Sequence, residues 1–447
     1  MKYFGTDGIR GKYGKFPISE EFFTRLGSAI EKFFLVKCGR KNLTICVGRD
    51  TRRSGISLFR ALFQGFSGAT QILDCKILPT PAISSAVVFT KSDAGIVLTA
   101  SHNPSSDNGV KIFNARGEKL SIDEEEEMEG MLEQLPNNTL HAPEVVDFHS
   151  RAQQIYCNKY KNFLPKGALS GKTIALDSAN GATSRVAGKI FRNLGLNVIQ
   201  IGSTPNGTNI NENCGSEYPQ NLTNFMKKND AFAGIAFDGD GDRVVIFDET
   251  GEKIAGDVLI GRIAVHMAKK NNLPNGTIVT TIQSNMGLDK YLELNGIGVI
   301  RCDVGDRNVY QEMLKNHCHF GGENSGHLIF EKFSPIGDGI TAALYVLSIV
   351  AEENIELSNL KTNIALFPQK SFNVPVSKKI PNSELEDIIS KAQSNLSSGS
   401  RIVVRNSGTE PFLRITVEAE SEGEVDHTWD GLKRSILERV KDTPSFF

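Results

Sequence analysis

The residues with the clearest chemical potential in this chain surround Ser101. The segment Thr99–Pro104 follows the apolar run 95–98, a pattern that predicts a buried strand opening into a sharp loop. A serine hydroxyl is a weak nucleophile unless a base, a cation or a metal activates it, and His102 or Lys111 could supply such a group. The alternative is an Asn-Pro turn whose hydroxyls only satisfy local backbone donors. Ser101 is therefore a candidate nucleophile.

A second polar segment places carboxylates at every other position, at Asp238, Asp240 and Asp242, with glycines between them. Glycine frees the backbone to curl, so the three side chains can converge on one ion, and all-oxygen anionic ligation suits Mg²⁺ or Ca²⁺. An EF-hand loop is the alternative, with Glu249 at its last position. Arg243 occupies the position where that loop needs glycine, and the flanking segments read as strands, so we predict a different metal site.

A third polar loop contains Glu323, Ser325 and His327 around a flexible glycine. An anionic acceptor and a hydroxyl on one loop suit sugar hydroxyls or an amine. Taken alone this loop says little, because a solvated turn has the same composition.

A fourth segment, near the C-terminus, could bind an anion. Ser407, Gly408 and Thr409 in succession can present backbone N–H groups and hydroxyls as a concave nest. Arg405 and Arg414 bracket this nest and could hold a phosphate through paired hydrogen bonds. The alternative is a Ser-Gly turn between two strands with exposed arginines.

The elements that must position these loops recur along the chain. Short strand-like segments followed by helical patterns predict βαβ units and largely parallel sheets, in which ligands bind at the carboxyl ends of the strands. Residues 19–36 read as a helix with Ser19 as N-cap. The recurring strand-like segments are 42–48, 171–181 and 275–282, and the recurring segments that lead into a polar loop are 93–98, 233–237 and 319–322.

The length of 447 residues exceeds what one hydrophobic core supports and predicts about three or four domains. We expect three similar mixed-sheet α/β domains and a C-terminal α+β domain. The predicted boundaries are 1–152, 153–254, 255–368 and 369–447.

Composition restricts the function classes. A hydrophobic content of 39%, a charged content of 23% and a formal net charge of −2 give no reason to expect nucleic acid or a membrane as partner. Seven cysteines without a Cys-x-x-Cys pair favour reduced thiols. Neither a signal peptide nor an apolar run of spanning length is evident, so we expect a cytoplasmic protein.

Together the motifs resemble those of the α-D-phosphohexomutase superfamily and, within it, the phosphoglucosamine mutases, over essentially the whole chain. One departure is Asn406, where that subfamily usually carries proline; asparagine keeps the nest and both arginines, so we expect a modest effect on affinity. The superfamily motifs are Phe4–Gly11, Thr99–Pro104 with Asp107–Lys111, Asp238–Arg243, Gly321–His327 and Arg405–Pro411. The subfamily motifs are Val304–Arg307, Gly322–His327 followed by Gly337–Gly339, and Asn209–Asn211 with Cys214–Ser216.

The resemblance implies a heart-shaped molecule with a central cleft and a resting enzyme that carries phosphoserine at Ser101. The phosphoryl group would pass to glucosamine 6-phosphate, giving a bisphosphate that reorients and returns its other phosphate, and the product would supply the UDP-N-acetylglucosamine pathway. It further implies Mg²⁺ on Ser101, Asp238, Asp240 and Asp242; catalytic roles for Arg10, His102, Lys111 and Arg243; and substrate binding by Glu323, Ser325, His327, Arg405, Ser407, Gly408, Thr409 and Arg414. Neighbouring cations would lower the pKa of Lys111.

Two alternatives stay open. The chain could be a phosphomannomutase or phosphoglucomutase acting on sugars without an amino group. It could also be a non-catalytic protein that binds a sugar phosphate or a divalent ion, although such a protein needs no phosphorylatable serine. The sequence does not reveal the oligomeric state, and a homodimer is compatible with it.

Overall fold

The computed structural model describes residues 2–134, 143–375, 386, 389–390, 393, 400–406 and 412–441. Within these residues the strands form four sheets, of six, five, four and three strands. Helices alternate with the strands of the first three sheets, as the sequence pattern predicts.

The first sheet contains β1 (Ile9–Lys12), β2 (Leu43–Arg49), β3 (Thr70–Ile77), β4 (Ala94–Leu98), β5 (Asp107–Asn114) and β6 (Glu144–Asp147), with helices α1 (Glu20–Cys38), α2 (Ser54–Gly65), α3 (Thr80–Thr90), α4 (Ile122–Gln134) and α5 (His149–Asn158). The second sheet contains β7 (Thr173–Asp177), β8 (Asn197–Ile201), β9 (Ala233–Phe237), β10 (Val244–Phe247) and β11 (Lys253–Ile254), with a 3₁₀ helix (Ala182–Arg185), α6 (Ala187–Asn193) and α7 (Gln220–Asn229).

The third sheet contains β12 (Thr277–Thr281), β13 (Gly298–Cys302), β14 (Phe320–Gly322) and β15 (Leu328–Phe330), with α8 (Gly256–Lys269), α9 (Met286–Leu294), α10 (Asp306–Lys315), α11 (Gly339–Glu353) and a 3₁₀ helix (Leu357–Lys361). The fourth sheet contains β16 (Gln369–Pro375), β17 (Arg401–Asn406) and β18 (Phe412–Glu418), followed by α12 (Glu422–Lys441).

The predicted repeat is visible in the strand order. The first sheet contains the run β3-β2-β4-β5, the second β8-β7-β9-β10 and the third β13-β12-β14-β15. In each run the first three strands are parallel and the last is antiparallel to its neighbour. The hairpin that joins the last two strands of each run carries one of the polar loops. The fold therefore presents three chemically different loops from three equivalent positions.

The local sequence explains where several elements begin and why they are buried. Ser19 caps α1, its side chain accepting a hydrogen bond from the Phe22 N–H, as predicted. All residues of β4 and β9 are buried, since each strand is paired on both edges within its sheet and has a helix packed on it, α3 on β4 and α7 on β9. The residues of α11 are buried along nearly its whole length, and α11 contacts β10 of the second sheet as well as β15 of the third. This helix therefore joins two sheets into one core.

The C-terminal segment differs, as expected. Its three strands pair in the order β16-β18-β17 and are antiparallel throughout, with α12 packed against β16 and β18. The fold class of three similar α/β units with a C-terminal α+β unit is confirmed. The domain boundaries stay a prediction, and α5 crosses the first of them while packing on α3. Among the residues described, no helix is both long and apolar enough to span a membrane.

Candidate active site

The hairpin loop after β4 holds Ser101 in a defined orientation. Ser101 has a backbone φ of 51°, in the left-handed region, and its N–H donates to Thr99 Oγ at 2.9 Å. Thr99 in turn donates to Asp50 Oδ2 at 2.7 Å. The Ser101 hydroxyl donates to Asp238 Oδ2 of the second sheet at 2.6 Å, and both residues are fully buried. The candidate nucleophile therefore meets the acidic loop across two sheets.

The three aspartates of the second loop converge as predicted. Their carboxylate oxygens lie within 4.8 Å of one another, and all three residues are buried. Asp238 Oδ1 accepts hydrogen bonds from the backbone N–H groups of Gly241 at 3.0 Å and Arg243 at 3.2 Å. Burial and the neighbouring Asp242 and Asp240 raise the pKa of Asp238 well above its usual value. Three carboxylates this close are unfavourable unless a cation compensates their charge.

The hydrogen bonding of two oxygens in this cluster indicates whether the site suits a metal ion. Asp240 Oδ1 and Asp242 Oδ1 are buried and find no hydrogen-bond partner within the described part of the chain. Buried polar atoms without partners are rare in folded proteins, and a hard divalent cation would satisfy both oxygens. The Glu249 carboxylate instead accepts from the Ser358 N–H at 3.2 Å, so it is committed elsewhere and the loop is not an EF-hand. The residues present fit a divalent cation.

Lys111 of β5 lies against the same carboxylates. Its ammonium group is 2.8 Å from Asp240 Oδ2, 2.6 Å from Asp242 Oδ2 and 3.1 Å from Asp7 Oδ2. Burial acts to lower the pKa of Lys111, but these three carboxylates outweigh it and raise the pKa well above its usual value. The expectation of a depressed pKa is therefore wrong for this structure, because Lys111 is surrounded by anions rather than cations.

The other predicted catalytic residues flank this cluster. His102 Nδ1 lies 3.4 Å from Ser101 Oγ, and burial together with Arg243 and Arg10 lowers the His102 pKa to about 4, so its imidazole is neutral near pH 7. Arg10 pairs with Asp7. Although burial opposes it, Asp242 and Asp238 raise the Arg243 pKa, and Arg243 keeps a buried Nε without a hydrogen-bond partner among the described residues. The site thus holds two arginines close enough to His102 to lower its pKa.

The third loop separates its predicted residues. Glu323 Oε1 accepts from the Gly305 N–H at 3.0 Å, and Ser325 is exposed. His327 is buried behind the aspartates, with Nε2 2.9 Å from Asp306 Oδ2 and Nδ1 3.8 Å from Asp242 Oδ1. His327 therefore faces the metal loop in this structure, while its predicted contact with substrate stays untested.

Three charged residues of the site were missed by sequence reasoning. Lys119 bridges Asp7 of the first sheet's loop region and Asp306 at the start of α10, with 2.5 Å to Asp306 Oδ2. Asp7 also pairs with Lys111. Both aspartates lie next to a glycine within motifs named above, Phe4–Gly11 and Val304–Arg307, and that was the available signal. Their pairing with Lys119 joins segments distant in sequence.

The fourth loop is only partly visible. Ser407, Gly408 and Thr409 lie outside the described residues, as does the side chain of Arg405. The strand register places Arg405 directly opposite Arg414. The two positions therefore bracket the predicted phosphate loop, whose role stays a prediction.

A buried carboxylate, Asp338, helps to hold the acidic loop in position. It caps α11 and accepts hydrogen bonds from the Tyr156 hydroxyl at 2.9 Å, the Lys159 ammonium at 2.8 Å and the Tyr160 hydroxyl at 2.5 Å. The next residue, Gly339, donates its N–H to the Gly241 carbonyl at 3.1 Å. Asp338 therefore fixes α5, α11 and the acidic loop relative to one another.

We expect Asp338→Asn to lower the free energy of unfolding by about 3 kcal/mol, because it leaves the largely buried Lys159 cation without its anionic partner. Urea unfolding followed by circular dichroism measures this loss. Asp426→Asn is the matched control, since it removes a carboxylate from an exposed pair with Lys370 and should cost well under 1 kcal/mol. Equal losses in the two variants would contradict the role assigned to Asp338.

Comparison with known proteins accounts for all four sheets. Models of the four phosphoglucomutase/phosphomannomutase domains match in order: alpha/beta/alpha domain I at residues 1–139, domain II at 154–251, domain III at 255–366 and the C-terminal domain at 372–432. A phosphoglucosamine mutase of Geobacter sp. (strain M21) is 40% identical over 449 residues, covering 98% of each chain.

Solved structures share the fold at lower identity. A phosphoglucomutase/phosphomannomutase family protein from Burkholderia thailandensis superposes with a TM-score of 0.80 at 21% identity, over 99% of this chain and 98% of that one. An Aspergillus fumigatus N-acetylphosphoglucosamine mutase, solved in complex with GlcNAc-6P and magnesium, superposes with a TM-score of 0.68 at 16% identity, over 98% and 96%.

Proposed function

This chain belongs to the phosphoglucomutase/phosphomannomutase family, and we propose that it is the phosphoglucosamine mutase of that family, an isomerase that interconverts glucosamine 6-phosphate and glucosamine 1-phosphate. The observation that carries the proposal is the Ser101 hydroxyl 2.6 Å from Asp238 within a convergent set of three aspartates. Full-length similarity to phosphoglucosamine mutases supports the amino sugar as substrate.

The reaction begins with a phosphoryl group on Ser101 Oγ. The bond between phosphorus and Ser101 Oγ breaks as a bond forms to the 1-hydroxyl oxygen of glucosamine 6-phosphate. The proton of that hydroxyl leaves, and Ser101 Oγ regains a proton. The resulting bisphosphate reorients in the site, and its 6-phosphoryl group is transferred to Ser101 by the same exchange of bonds and protons. Charge stabilisation and positioning supply most of the catalysis in such transfers.

We propose Mg²⁺ as the metal, held by Asp238, Asp240 and Asp242 together with Ser101. These residues offer only oxygen donors, two of them buried carboxylate oxygens without partners in the described chain, and this donor set suits a hard cation. When bound, the metal would offset negative charge on the transferring phosphoryl group. Magnesium in the Aspergillus fumigatus complex is consistent with this choice.

The side chains around Ser101 have distinct proposed roles. Lys111 would stabilise negative charge as a permanent cation, and its contacts with Asp240 and Asp242 fix its position beside the metal ligands; its raised pKa does not suit the proton transfer that we expected of it. His102, 3.4 Å from Ser101 Oγ, is neutral and would assist proton movement at the seryl oxygen.

Arg10 and Arg243 would supply fixed positive charge for the phosphoryl oxygens.

Substrate binding is proposed for the third and fourth loops. Glu323 and Ser325 would hold sugar hydroxyls or the amine, and the substrate contact expected of His327 stays a proposal, since its side chain faces the metal loop. The nest at Ser407, Gly408 and Thr409 would hold the phosphate that does not react, together with Arg405 and Arg414. Holding that phosphate would keep the bisphosphate from escaping while it turns. A cytoplasmic location remains a proposal that rests on the sequence.

Relative turnover on different sugars tests the substrate. We expect kcat/KM for glucosamine 6-phosphate to exceed the values for mannose and glucose phosphates by at least about 10-fold, since a site built to bind an amine loses a charged contact with neutral sugars. Measurements with the phosphorylated enzyme and Mg²⁺ would decide the point. A higher value on either neutral sugar would favour a phosphomannomutase or phosphoglucomutase.

A further inference from the structure

Asn211 belongs to the segment 209–216, which contains the motifs Asn209–Asn211 and Cys214–Ser216 of the resemblance but has no role in the proposed reaction. It lies between β8 and α7 of the second sheet, is only 7% exposed and has a φ of 60°. Its own N–H donates to the Ala179 carbonyl at 2.9 Å, which fixes the backbone. The side chain is therefore held in one direction.

That direction is toward the loop of the candidate nucleophile. Asn211 Nδ2 donates to the carbonyl oxygens of Ser101 at 2.8 Å and Asn103 at 2.9 Å. Arg52 is a buried residue that follows β2 of the first sheet. Its Nη2 donates to the same two carbonyls at 3.0 Å and 2.7 Å. Two side chains from two sheets thus bind the same pair of oxygens.

The acidic loop packs against the Ser101 carbonyl as well. A Cβ atom added at Gly239 would lie 2.4 Å from the Ser101 carbonyl oxygen and 3.0 Å from Asn211 Nδ2, so only glycine permits this approach. Next to it, Thr51 Oγ1 donates to the Asn180 carbonyl at 2.6 Å and the Arg53 N–H to the Gly207 carbonyl at 2.8 Å. The Ser101 carbonyl therefore lies between Arg52, Asn211 and Gly239, where the first and second sheets meet.

We propose that Asn211 is a positioning residue for phosphoryl transfer. Its amide, acting with Arg52, holds the Ser101 carbonyl so that the hydroxyl of the same residue stays aligned on Asp238. This inference rests on the proposed function. It assigns Asn211 no contact with substrate, and it predicts an effect on the chemical step rather than on substrate binding.

The chemistry of the side chain explains why asparagine is suitable. Asparagine tolerates a left-handed backbone, and its amide offers two N–H donors to two carbonyl oxygens. In Asn211→Asp the shape and the backbone preference are retained, but a carboxylate oxygen would face both carbonyls and repel them. In Asn211→Gly the backbone is also accommodated, while the donors are removed without repulsion.

The test compares Asn211→Asp and Asn211→Gly with Asn213→Asp. Asn213 lies two residues away, has a φ of 52° and is exposed, so the same isosteric change there is a matched control. We expect kcat to fall about 100-fold in Asn211→Asp and about 10-fold in Asn211→Gly, because small misplacements of reacting groups have effects of this size. The KM for glucosamine 6-phosphate should stay within about twofold, and Asn213→Asp should match the wild type.

Thermal unfolding and phosphorylation of Ser101 by the sugar bisphosphate complete the experiment. The inference is supported if Ser101 is phosphorylated slowly in both Asn211 variants. The melting temperature of Asn211→Gly, at least, should also be close to that of Asn213→Asp. Wild-type kcat in Asn211→Gly, or a loss confined to KM, would overturn the inference. An inactive wild-type enzyme on glucosamine 6-phosphate would instead contradict the proposed function, so the two failures are distinguishable.

Discussion

Ser101→Ala is expected to abolish the mutase reaction, lowering kcat by at least about 10⁴-fold. The proposed reaction stores the phosphoryl group on Ser101 Oγ, and alanine has no atom that could carry it. His102, although 3.4 Å away, stands on the flank of the acidic loop and lacks the direct contact with Asp238 that the Ser101 hydroxyl makes. His102 is therefore not placed to substitute for Ser101.

The variant should remain folded, which makes the result interpretable. Among the described residues, the Ser101 hydroxyl makes hydrogen-bond contacts with Asp238 and His102 only, and the backbone of the loop is held through Thr99, Arg52 and Asn211. Alanine adopts the φ of 51° with the same strain as serine. We expect a melting temperature within a few degrees of the wild type.

Intact-mass measurement tests the same prediction without relying on turnover. Purified wild-type protein, or protein incubated with the sugar bisphosphate, should carry one phosphoryl group that is absent in Ser101→Ala. Ser106→Ala is the control, because Ser106 lies exposed on the same loop and should neither lose the phosphoryl group nor change kcat. A phosphoryl group that persists in Ser101→Ala would place the chemistry elsewhere. A wild-type protein that never carries one would favour a binding protein.

Local sequence patterns predicted the parts of this fold that depend on local physics. The alternation of strand-like and helical segments predicted three repeated units, and the apolar runs before Ser101, Asp238 and Glu323 placed each residue after a buried strand. The glycines between the aspartates predicted their convergence. These features follow from periodicity and backbone freedom, which a short segment already contains.

The features that were missed depend on contacts between distant segments. The pairing of Lys119 with Asp306 spans 187 residues, and that of Asn211 with the Ser101 carbonyl spans 110. The expected pKa of Lys111 was wrong for the same reason, since its sequence neighbours do not include the aspartates that surround it in space. A single sequence shows which residues are charged, but it does not show which of them form pairs in the folded chain.

Asp240→Asn is expected to lower kcat by about 10³-fold while leaving the fold intact, a loss that corresponds to about 4 kcal/mol of transition-state stabilisation. Asp240 Oδ2 binds Lys111 and Thr80, whereas Oδ1 is buried without a partner among the described residues. Asparagine keeps the volume of the side chain but removes one negative charge from the proposed metal site. Lys111 retains its contacts with Asp242 and Asp7, so the variant should still fold.

Magnesium titrations decide which function of Asp240 is lost. In the wild type, Mg²⁺ should raise the melting temperature, because a ligand that binds only the folded state stabilises it. The rise should be much smaller in Asp240→Asn and unchanged in Asp303→Asn, which removes an exposed carboxylate near the third loop. Wild-type turnover of Asp240→Asn with Mg²⁺ supplied would contradict the metal assignment. Lost turnover with an unchanged response to Mg²⁺ would instead mean that Asp240 acts by holding Lys111.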